Sequence, residues 1–250
     1  MIDIHSHTLW HLDDGSPDFE TTMRMCGLAE SGGTETLFVT PHIVYWKSAD
    51  ELYDRRERKI EQLCDELIEN DSKLKIERGF ELLCDDEIFN IKYFKPYTLA
   101  GSRYILIEFD FYKTDEEDVK IWCDYLKSFG LVPVIAHPER YEFALNDISS
   151  LDRISEEGVL FQINAGSPVG IFGDAECGVA LKMLKCGYVD FIGSDAHNDR
   201  TRNTDMSSFF RHYPDFVSDE LIERCVNENP LKIIADEPIK TRKTSLLKDW

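Results

Sequence analysis

Histidines and carboxylates recur in this sequence at the points where short apolar runs end. The opening stretch MIDIHSHTLWHLDD brings histidines and an aspartate directly behind the first run. The full set of candidates is His5, His7, Asp14, His42, Glu81, Glu108, His137, Asp195 and His197. All nine offer nitrogen or oxygen donors, and none is a cysteine. Such a set is typical of a manganese, iron or zinc site and differs from a zinc site built of thiolates. Gathered in one place, they would bind metal ions.

The size of the set bears on the number of ions. Nine protein ligands are too many for one ion, so we expect a carboxylate such as Glu81 to bridge two or three metals. A cluster of this kind makes hydroxide at neutral pH and clamps the oxygens of a phosphoryl transfer. A lone histidine at a strand end often has a purely structural role. Glu108 is different, because a carboxylate in the apolar run YILIE is costly to bury without a cation or hydrogen bonds.

Seven short β-branched or aromatic runs must position these residues. They alternate with helical patterns, which is typical of βα units around a parallel sheet. We predict strands at 2–4, 37–40, 75–81, 104–108, 132–136, 159–164 and 189–193. In a (β/α) barrel the carboxyl ends of the strands converge on one face. Since the candidates fall at those ends, the sequence predicts that they meet in one pocket.

Helices are predicted between the strands from apolar spacing and capping residues. They cover residues 17–31, 49–70, 114–129, 174–186 and 218–227. No internal repeat and no linker rich in Pro, Gly or Ser divides the chain. We therefore predict a single domain over residues 1–250.

Composition limits the possible partners and the compartment. The net charge of −20 argues against routine nucleic-acid binding, which needs clustered Lys and Arg. The seven cysteines include no Cys-x-x-Cys pair, which disfavours a disulfide framework, and no Cys-x5-Arg loop of the cysteine-dependent phosphatases. No apolar run approaches the roughly 20 residues of a membrane span, and the first residues do not form a signal peptide. We expect a cytoplasmic protein that is not embedded in a membrane.

Seven motifs of the chain occur together in one known superfamily. They are HSHTLWHLDDG, TPH, GFE, YILIEF, VIAHPERY, QINAGS and FIGSDAHN, in colinear order from Met1 to about residue 206. The chain resembles the PHP (polymerase and histidinol phosphatase) superfamily. Within it, the chain is similar to the bacterial manganese-dependent tyrosine-protein phosphatases of capsular and exopolysaccharide operons. The resemblance implies a distorted, TIM-like (β/α)7 barrel and three Mn²⁺ ions per chain, with Fe or Zn as alternatives.

The resemblance also implies how the ligands divide among three ions. One ion would be held by His5, His7, Glu81 and Asp195. A second would be held by Glu81, Glu108 and His137, and the third by Asp14, His42 and His197. The N-terminus carries so many ligands because its first strand is a wall of the barrel.

Two arginines and two ligands are the implied catalytic residues. Arg140 and Arg202 would grip phosphate, since a guanidinium binds it bidentately, with Arg200 as the competing assignment for the second. A metal-activated hydroxide would attack the phosphorus, and Asp14 or His197 would supply a proton if one is required. In the loop after His42, Tyr45, Trp46 and Lys47 would flank a phenyl ring or cap the barrel.

The implied partner is the phosphotyrosine tail of a bacterial tyrosine autokinase. A small-molecule phosphoesterase of the histidinol phosphatase type shares the metal site and is the alternative. A nuclease fits less well, since only the metals would attract DNA to so acidic a chain. A non-enzymatic metal-binding barrel would need a broken ligand set, and none of the nine ligands is missing. The oligomeric state does not follow from the sequence.

Overall fold

Short parallel strands form the framework of the protein. The computed structural model describes residues 1–44, 48–156 and 158–240, and within these ranges nine strands form two sheets. The strands are β1 (Ile2–Asp3), β2 (Thr36–Val39), β3 (His42–Ile43), β4 (Lys75–Arg78), β5 (Glu81–Leu83), β6 (Tyr104–Glu108), β7 (Val132–Ala136), β8 (Leu160–Asn164) and β9 (Phe191–Gly193). The orders are β1-β2-β4 and β3-β5-β6-β7-β8-β9, with every pair parallel. The predicted α/β class with parallel strands is confirmed.

The second and third predicted strand regions differ from the prediction. Instead of one strand over 75–81, the chain forms β4 and β5 with a break at Gly79, and β3 follows β2 in the same way. A Cβ at position 79 would lie 2.7 Å from Leu99 Cδ2 and 2.9 Å from Thr40 Cγ2. Only glycine lets the chain pass this close as it crosses from one sheet to the other.

The first and last strands approach each other at the edge of the two sheets. Ser6 and Ala196 form an isolated parallel bridge, and the Asp195 amide donates to the His5 carbonyl at 2.9 Å. The strands are thus divided between two sheets that a single bridge connects here. The closed seven-stranded barrel and the single domain over 1–250 stay predictions.

Within the described ranges, helices occur in the five regions where the sequence predicts them and at four further places. They are α1 (Phe19–Ser31), α2 (Ala49–Glu69), α3 (Glu116–Lys127), α4 (Glu142–Asn146), α5 (Ser149–Ser155), α6 (Asp174–Cys186), α7 (Met206–Phe210), α8 (Asp219–Glu223) and α9 (Asn229–Ile234). Of these, the sequence did not predict α4, α5, α7 and α9. Asp18 caps α1 by accepting from the Thr21 amide, and Asp115 forms a capping box with Asp118 at α3. The helix predicted over 218–227 is instead α8 followed by a π-helical turn at Arg224–Glu228 that leads into α9. Pro230 in the first turn of α9 cannot donate a backbone hydrogen bond, which accounts for the change of register there.

Two apolar layers lie on opposite sides of the longer strands. On β6, Ile105 and Ile107 pack in the outer cluster with α3 and α6, whereas Tyr104 and Leu106 pack in an inner cluster. Because side chains alternate along a strand, Glu108 continues the inner series. The inner face is therefore apolar at the amino end of the strands and polar at their carboxyl ends.

Two parts of the sequence prediction fall outside the described residues. Tyr45, Trp46 and Lys47, which were predicted to flank a substrate ring or cap the barrel, belong to the undescribed positions, as do residues 241–250. Among the described residues, none of the helices has the length and apolar character needed to cross a membrane.

We expect Gly79→Ala to destabilise the protein by roughly 1–3 kcal/mol, because its methyl group meets Leu99 and Thr40. The matched control is Gly27→Ala on α1, where a Cβ has no neighbour within 4 Å and helix propensity improves by about 0.5–1 kcal/mol. Urea unfolding of both variants measures the difference. Equal midpoints for Gly79→Ala and the wild type would contradict this explanation of the break between β4 and β5.

Candidate metal centre

All nine predicted ligands lie close together near the carboxyl ends of the strands. Along the chain, the candidates lie as follows: His5 and His7 after β1, Asp14 in the loop before α1, His42 at the start of β3, Glu81 at the start of β5, Glu108 at the end of β6, His137 after β7, and Asp195 and His197 after β9. His42 and Glu81 are direct partners in the register of β3 and β5. These two thus open short strands rather than close longer ones, because β2 and β4 end earlier than predicted.

Glu81 lies at the centre of the cluster and is completely buried. Its Oε2 atom is 3.1 Å from His5 Nε2, 3.2 Å from His7 Nε2 and 3.1 Å from His42 Nδ1. Its other oxygen, Oε1, is 2.9 Å from His137 Nε2. One carboxylate therefore faces four imidazoles.

Only one of the two Glu81 oxygens is hydrogen-bonded, since Oε1 pairs with His137 Nε2 whereas Oε2 does not have such a bond to the described residues. Within the ranges that the structure describes, Glu81 Oε2 and His42 Nδ1 are buried atoms with no partner of hydrogen-bond geometry. A carboxylate oxygen and imidazole nitrogens that converge without hydrogen bonding to one another offer their lone pairs to a common centre. Buried polar atoms are seldom left in this state, so the donor set fits metal ions.

The ligand atoms form three overlapping groups whose members lie within 4.8 Å of one another. The groups are His5–His7–Glu81, His42–Glu81–Glu108 and His7–Asp14–His42–His197. They resemble the three implied ligand sets, with three differences. The first group lacks Asp195, whose Oδ1 lies 3.6 Å from Nε2 of both His5 and His7. The second group has His42 where His137 was expected, and the third group also includes His7. His137 Nε2 is 3.9 Å from Glu108 Oε2, so the division of ligands among the ions stays a prediction.

Three of the five histidines in the cluster are oriented through their second ring nitrogen. His5 Nδ1 donates to Gln162 Oε1 at 2.6 Å, and His7 Nδ1 donates to Asp13 Oδ2 at 2.7 Å. His197 Nδ1 donates to the Asp195 carbonyl at 2.9 Å. Each bond leaves Nε2 with its lone pair toward the cluster, as a metal ligand requires.

Two residues of the cluster adopt left-handed backbone conformations. His137 has a φ of +35° directly after β7, and Asp195 has a φ of +49° two residues after β9. Residues other than glycine rarely adopt this conformation, and when they do they concentrate at functional sites. Here the turn ends the strand sharply and directs the side chain into the cluster.

The electrostatics of the cluster favour positive charge. Burial opposes ionisation of Glu81, but His5 and His42 outweigh it and hold its pKa well below the usual range. Burial likewise opposes protonation of His42, yet Glu81 and neighbouring carboxylates raise the pKa of His42 to about 12. The pKa of His7 rises to about 9 against burial and the charge of His42, because Asp13 is adjacent. Protons or metal ions can supply the charge that these carboxylates attract.

Two arginines reach the edge of the cluster. Arg202 Nη2 lies 2.7 Å from Asp195 Oδ2, and Arg140 Nη1 lies 3.5 Å from the same oxygen. The Arg140 guanidinium lies over the rings of Phe111 and Phe172, at 4.5 and 4.7 Å from their centroids. Both arginines line a cavity of about 120 Å³ together with the exposed side of the cluster.

The competing arginine does not face this cavity. The Arg200 side chain is 88% exposed and lies 3.9 Å from Asp199. Of the two arginines that the sequence left open, Arg202 is therefore the one that the fold brings to the cluster.

Sequence reasoning assigned no role to several supporting residues. Gln162 and Asn164 connect His5 to Asp195 through hydrogen bonds of 3.0 and 2.6 Å, and both lie on the inner face of β8. The motif QINAGS contained the signal, because two polar residues at a spacing of two in a buried strand must face something polar. Asp13 was recognisable only as a neighbour of Asp14, and Phe172 had no sequence signal.

Comparisons with known proteins agree with this geometry. The family model for capsular polysaccharide synthesis, CpsB/CapC, matches residues 1–235. The tyrosine-protein phosphatase YwqE of Bacillus subtilis is 35% identical over 204 residues, which are 81% of this chain and 80% of that protein. The tyrosine-protein phosphatase CpsB of Streptococcus pneumoniae is 26% identical over 247 residues, 96% of this chain and all of that protein.

A solved structure gives the same result. It is described as YwqE from Bacillus subtilis and CpsB from Streptococcus pneumoniae, unique metal-dependent tyrosine phosphatases, and it aligns with a TM-score of 0.80 and 31% identity over 97% of both chains. The resemblance inferred from the sequence motifs is confirmed.

We expect Asp13→Ala to weaken metal binding roughly 10- to 100-fold, because His7 and the His42 amide lose the acceptor that orients them. Competition with a fluorescent chelator measures the affinity for Mn²⁺. Asp54→Ala, which removes an exposed carboxylate on α2, is the control. If both variants bind Mn²⁺ as tightly as the wild type, Asp13 does not orient the ligands.

Proposed function

The chain belongs to the CpsB/CapC family of capsular polysaccharide synthesis, and we propose that it is a metal-dependent protein-tyrosine phosphatase. The observation that carries the proposal is the position of Arg140 and Arg202 beside a buried histidine–carboxylate cluster. A phosphate monoester is a dianion, and in a chain of net charge −20 it needs local positive charge. The two guanidiniums and the cations that the cluster attracts would provide it.

Three manganese ions are proposed, held by the nine ligands His5, His7, Asp14, His42, Glu81, Glu108, His137, Asp195 and His197. When bound, the ions would lower the pKa of a water so that it attacks phosphorus, and would neutralise charge on the phosphoryl oxygens. Iron or zinc would fit the same donors. The support for several ions is that Glu81 belongs to two of the three ligand groups and His42 also belongs to two.

The arginines are proposed to orient the phosphoryl group. A guanidinium presents parallel N–H donors that match two phosphate oxygens. The cation–π contacts of Arg140 with Phe111 and Phe172 would hold it in position without substrate. Both arginines contact Asp195 Oδ2 in the protein alone, so phosphate would replace a carboxylate as their partner.

The leaving group needs little help from an acid. Tyrosinate is the conjugate base of a phenol with a pKa of about 10, so it departs more easily than an alkoxide. Hydrogen bonds from His197 and His42 hold the pKa of Asp14 well below its usual value, so this carboxyl carries no proton at neutral pH. We assign Asp14 and His197 mainly to metal binding, with water protonating the phenolate.

The partner and the location are the less direct parts of the proposal. We propose the phosphotyrosine tail of a tyrosine autokinase as the substrate, since the family is one of capsular polysaccharide synthesis. A cytoplasmic location is supported by seven free cysteines, which fit a reducing compartment.

The closed barrel is also part of the proposal, and it is supported by the bridge between Ser6 and Ala196.

The histidinol phosphatase alternative shares the metal site but is not favoured. The named relatives are tyrosine-protein phosphatases, including a putative one from Staphylococcus aureus that is 29% identical over 84% of this chain. A substrate comparison separates the two activities directly.

The purified protein is expected to release phosphate from a phosphotyrosine peptide in the presence of Mn²⁺. This activity should stop when EDTA is added and recover when Mn²⁺ is returned. Histidinol phosphate should be a much poorer substrate. We expect His137→Ala to lose at least about 100-fold in activity, because Glu81 loses a buried partner at 2.9 Å.

The matched control is His212→Ala, which changes an exposed histidine. Malachite green detection of phosphate reports every arm of the experiment. Activity that survives exhaustive chelation would refute the metal-dependent mechanism, and release from histidinol phosphate alone would move the function to metabolism.

A further inference from the structure

A second cavity adjoins the histidine–carboxylate cluster on the side away from Arg140 and Arg202, neither of which lines it. Its volume is about 510 Å³, and it shares the side chains of Asp14, His42 and Glu108 with the 120 Å³ cavity at the arginines. The smaller cavity has room for a phosphoryl group, whereas the larger one has the size of a small-molecule binding site. A phosphate ester that places its phosphorus at the cluster therefore has space for its leaving group in the larger cavity.

The wall of the larger cavity is mainly apolar away from the cluster. Leu12 lies in the loop before α1, Ile43 and Val44 follow the ligand His42, and Leu52 lies on the first turn of α2. Val44 is 40% exposed although it borders the cavity. An aromatic ring that covers these side chains would remove apolar surface from water on both partners.

Among the residues that the structure describes, Arg55 is a cation that lines this cavity without a carboxylate partner. Arg55 on α2 donates from Nη2 to the His11 carbonyl at 2.5 Å. Among the described residues no carboxylate lies within 4.0 Å of its guanidinium, although Glu51, one helical turn earlier, also borders the cavity. Its neighbour Arg56, by contrast, pairs with Glu57 at 2.7 Å. A hydrogen bond to a carbonyl fixes Arg55 but leaves its positive charge available.

We propose that this cavity binds the aryl ring of the phosphotyrosine and that Arg55 pairs with the carboxylate of an acidic residue next to it in the substrate. The inference rests on the proposed function and narrows its substrate class to phosphotyrosyl peptides with Asp or Glu beside the phosphotyrosine. Arg55 acts on specificity and takes no part in the bond-breaking step. Continuity with the phosphate cavity supports the ring position, and charge complementarity supports the acidic neighbour.

The test uses the Mn²⁺-loaded protein of residues 1–250 and three substrates. Two phosphotyrosine peptides differ only in having Glu or Lys on both sides of the phosphotyrosine, and para-nitrophenyl phosphate supplies the ring alone. At low ionic strength we expect the wild type to favour the Glu peptide at least threefold in kcat/KM. Arg55→Glu should reverse this preference through KM, and its effect on the ratio of kcat/KM for the two peptides should exceed its effect on para-nitrophenyl phosphate, which has no acidic neighbour.

Arg58→Glu is the matched control, because it makes the same charge change at an exposed position of the same helix. It should keep the preference of the wild type for the Glu peptide. The ring position has its own variant, Leu52→Ala, which should raise KM for para-nitrophenyl phosphate severalfold. Inhibition by inorganic phosphate should stay unchanged in Leu52→Ala, since phosphate alone needs only the smaller cavity.

The outcomes separate this inference from the proposed function. If the wild type hydrolyses the peptides without charge preference, or if Arg55→Glu and Arg58→Glu act alike, the specificity role of Arg55 is wrong. If Leu52→Ala weakens phosphate inhibition as much as aryl binding, the ring lies elsewhere. If no phosphotyrosine substrate is hydrolysed at all, the proposed function fails, and the inference fails with it.

Discussion

The burial of the Glu81 carboxylate among four imidazoles is the interaction on which the rest of the structure depends. An isolated carboxylate at zero exposure is unfavourable by several kcal/mol, roughly, unless positive charge or hydrogen bonds compensate it. His5, His7, His42 and His137 surround both oxygens at 2.9–3.2 Å. Every strand that contributes a ligand is therefore tied to one charged centre. Metal ions satisfy this centre better than protons do, since one carboxylate and several lone pairs converge there.

The fold delivers this centre by simple strand geometry. The inner face of the longer strands is apolar where Tyr104 and Leu106 pack, and it becomes polar at Glu108, Gln162 and Asn164. The apolar layer beneath keeps water away and fixes the backbone, while hydrogen bonds from Nδ1 fix the imidazoles of His5, His7 and His197. The strained turns at His137 and Asp195 persist because this packing determines them from all sides.

Much of the fold and of the candidate metal centre was predictable from the sequence. The features that were not predicted have physical reasons. The parallel strands and the shared pocket of the nine candidates follow from polar residues at the ends of apolar runs. The break at Gly79 does not, since it depends on how closely Leu99 and Thr40 approach. The contact of Arg140 with Phe172 and the adjoining cavity with Arg55 arise only when distant segments meet. Local periodicity carries no information on such contacts.

The most direct measurement is the Mn²⁺ content and affinity of the wild type and of Glu81→Gln, by native mass spectrometry and calorimetry on the folded proteins. Glutamine keeps the size of the side chain but removes the charge that several ligand groups share. We expect more than one ion per wild-type chain and loss of at least two binding events in Glu81→Gln. An unchanged number of ions bound at unchanged affinity would show that Glu81 is not the shared ligand and would contradict the central role given to it.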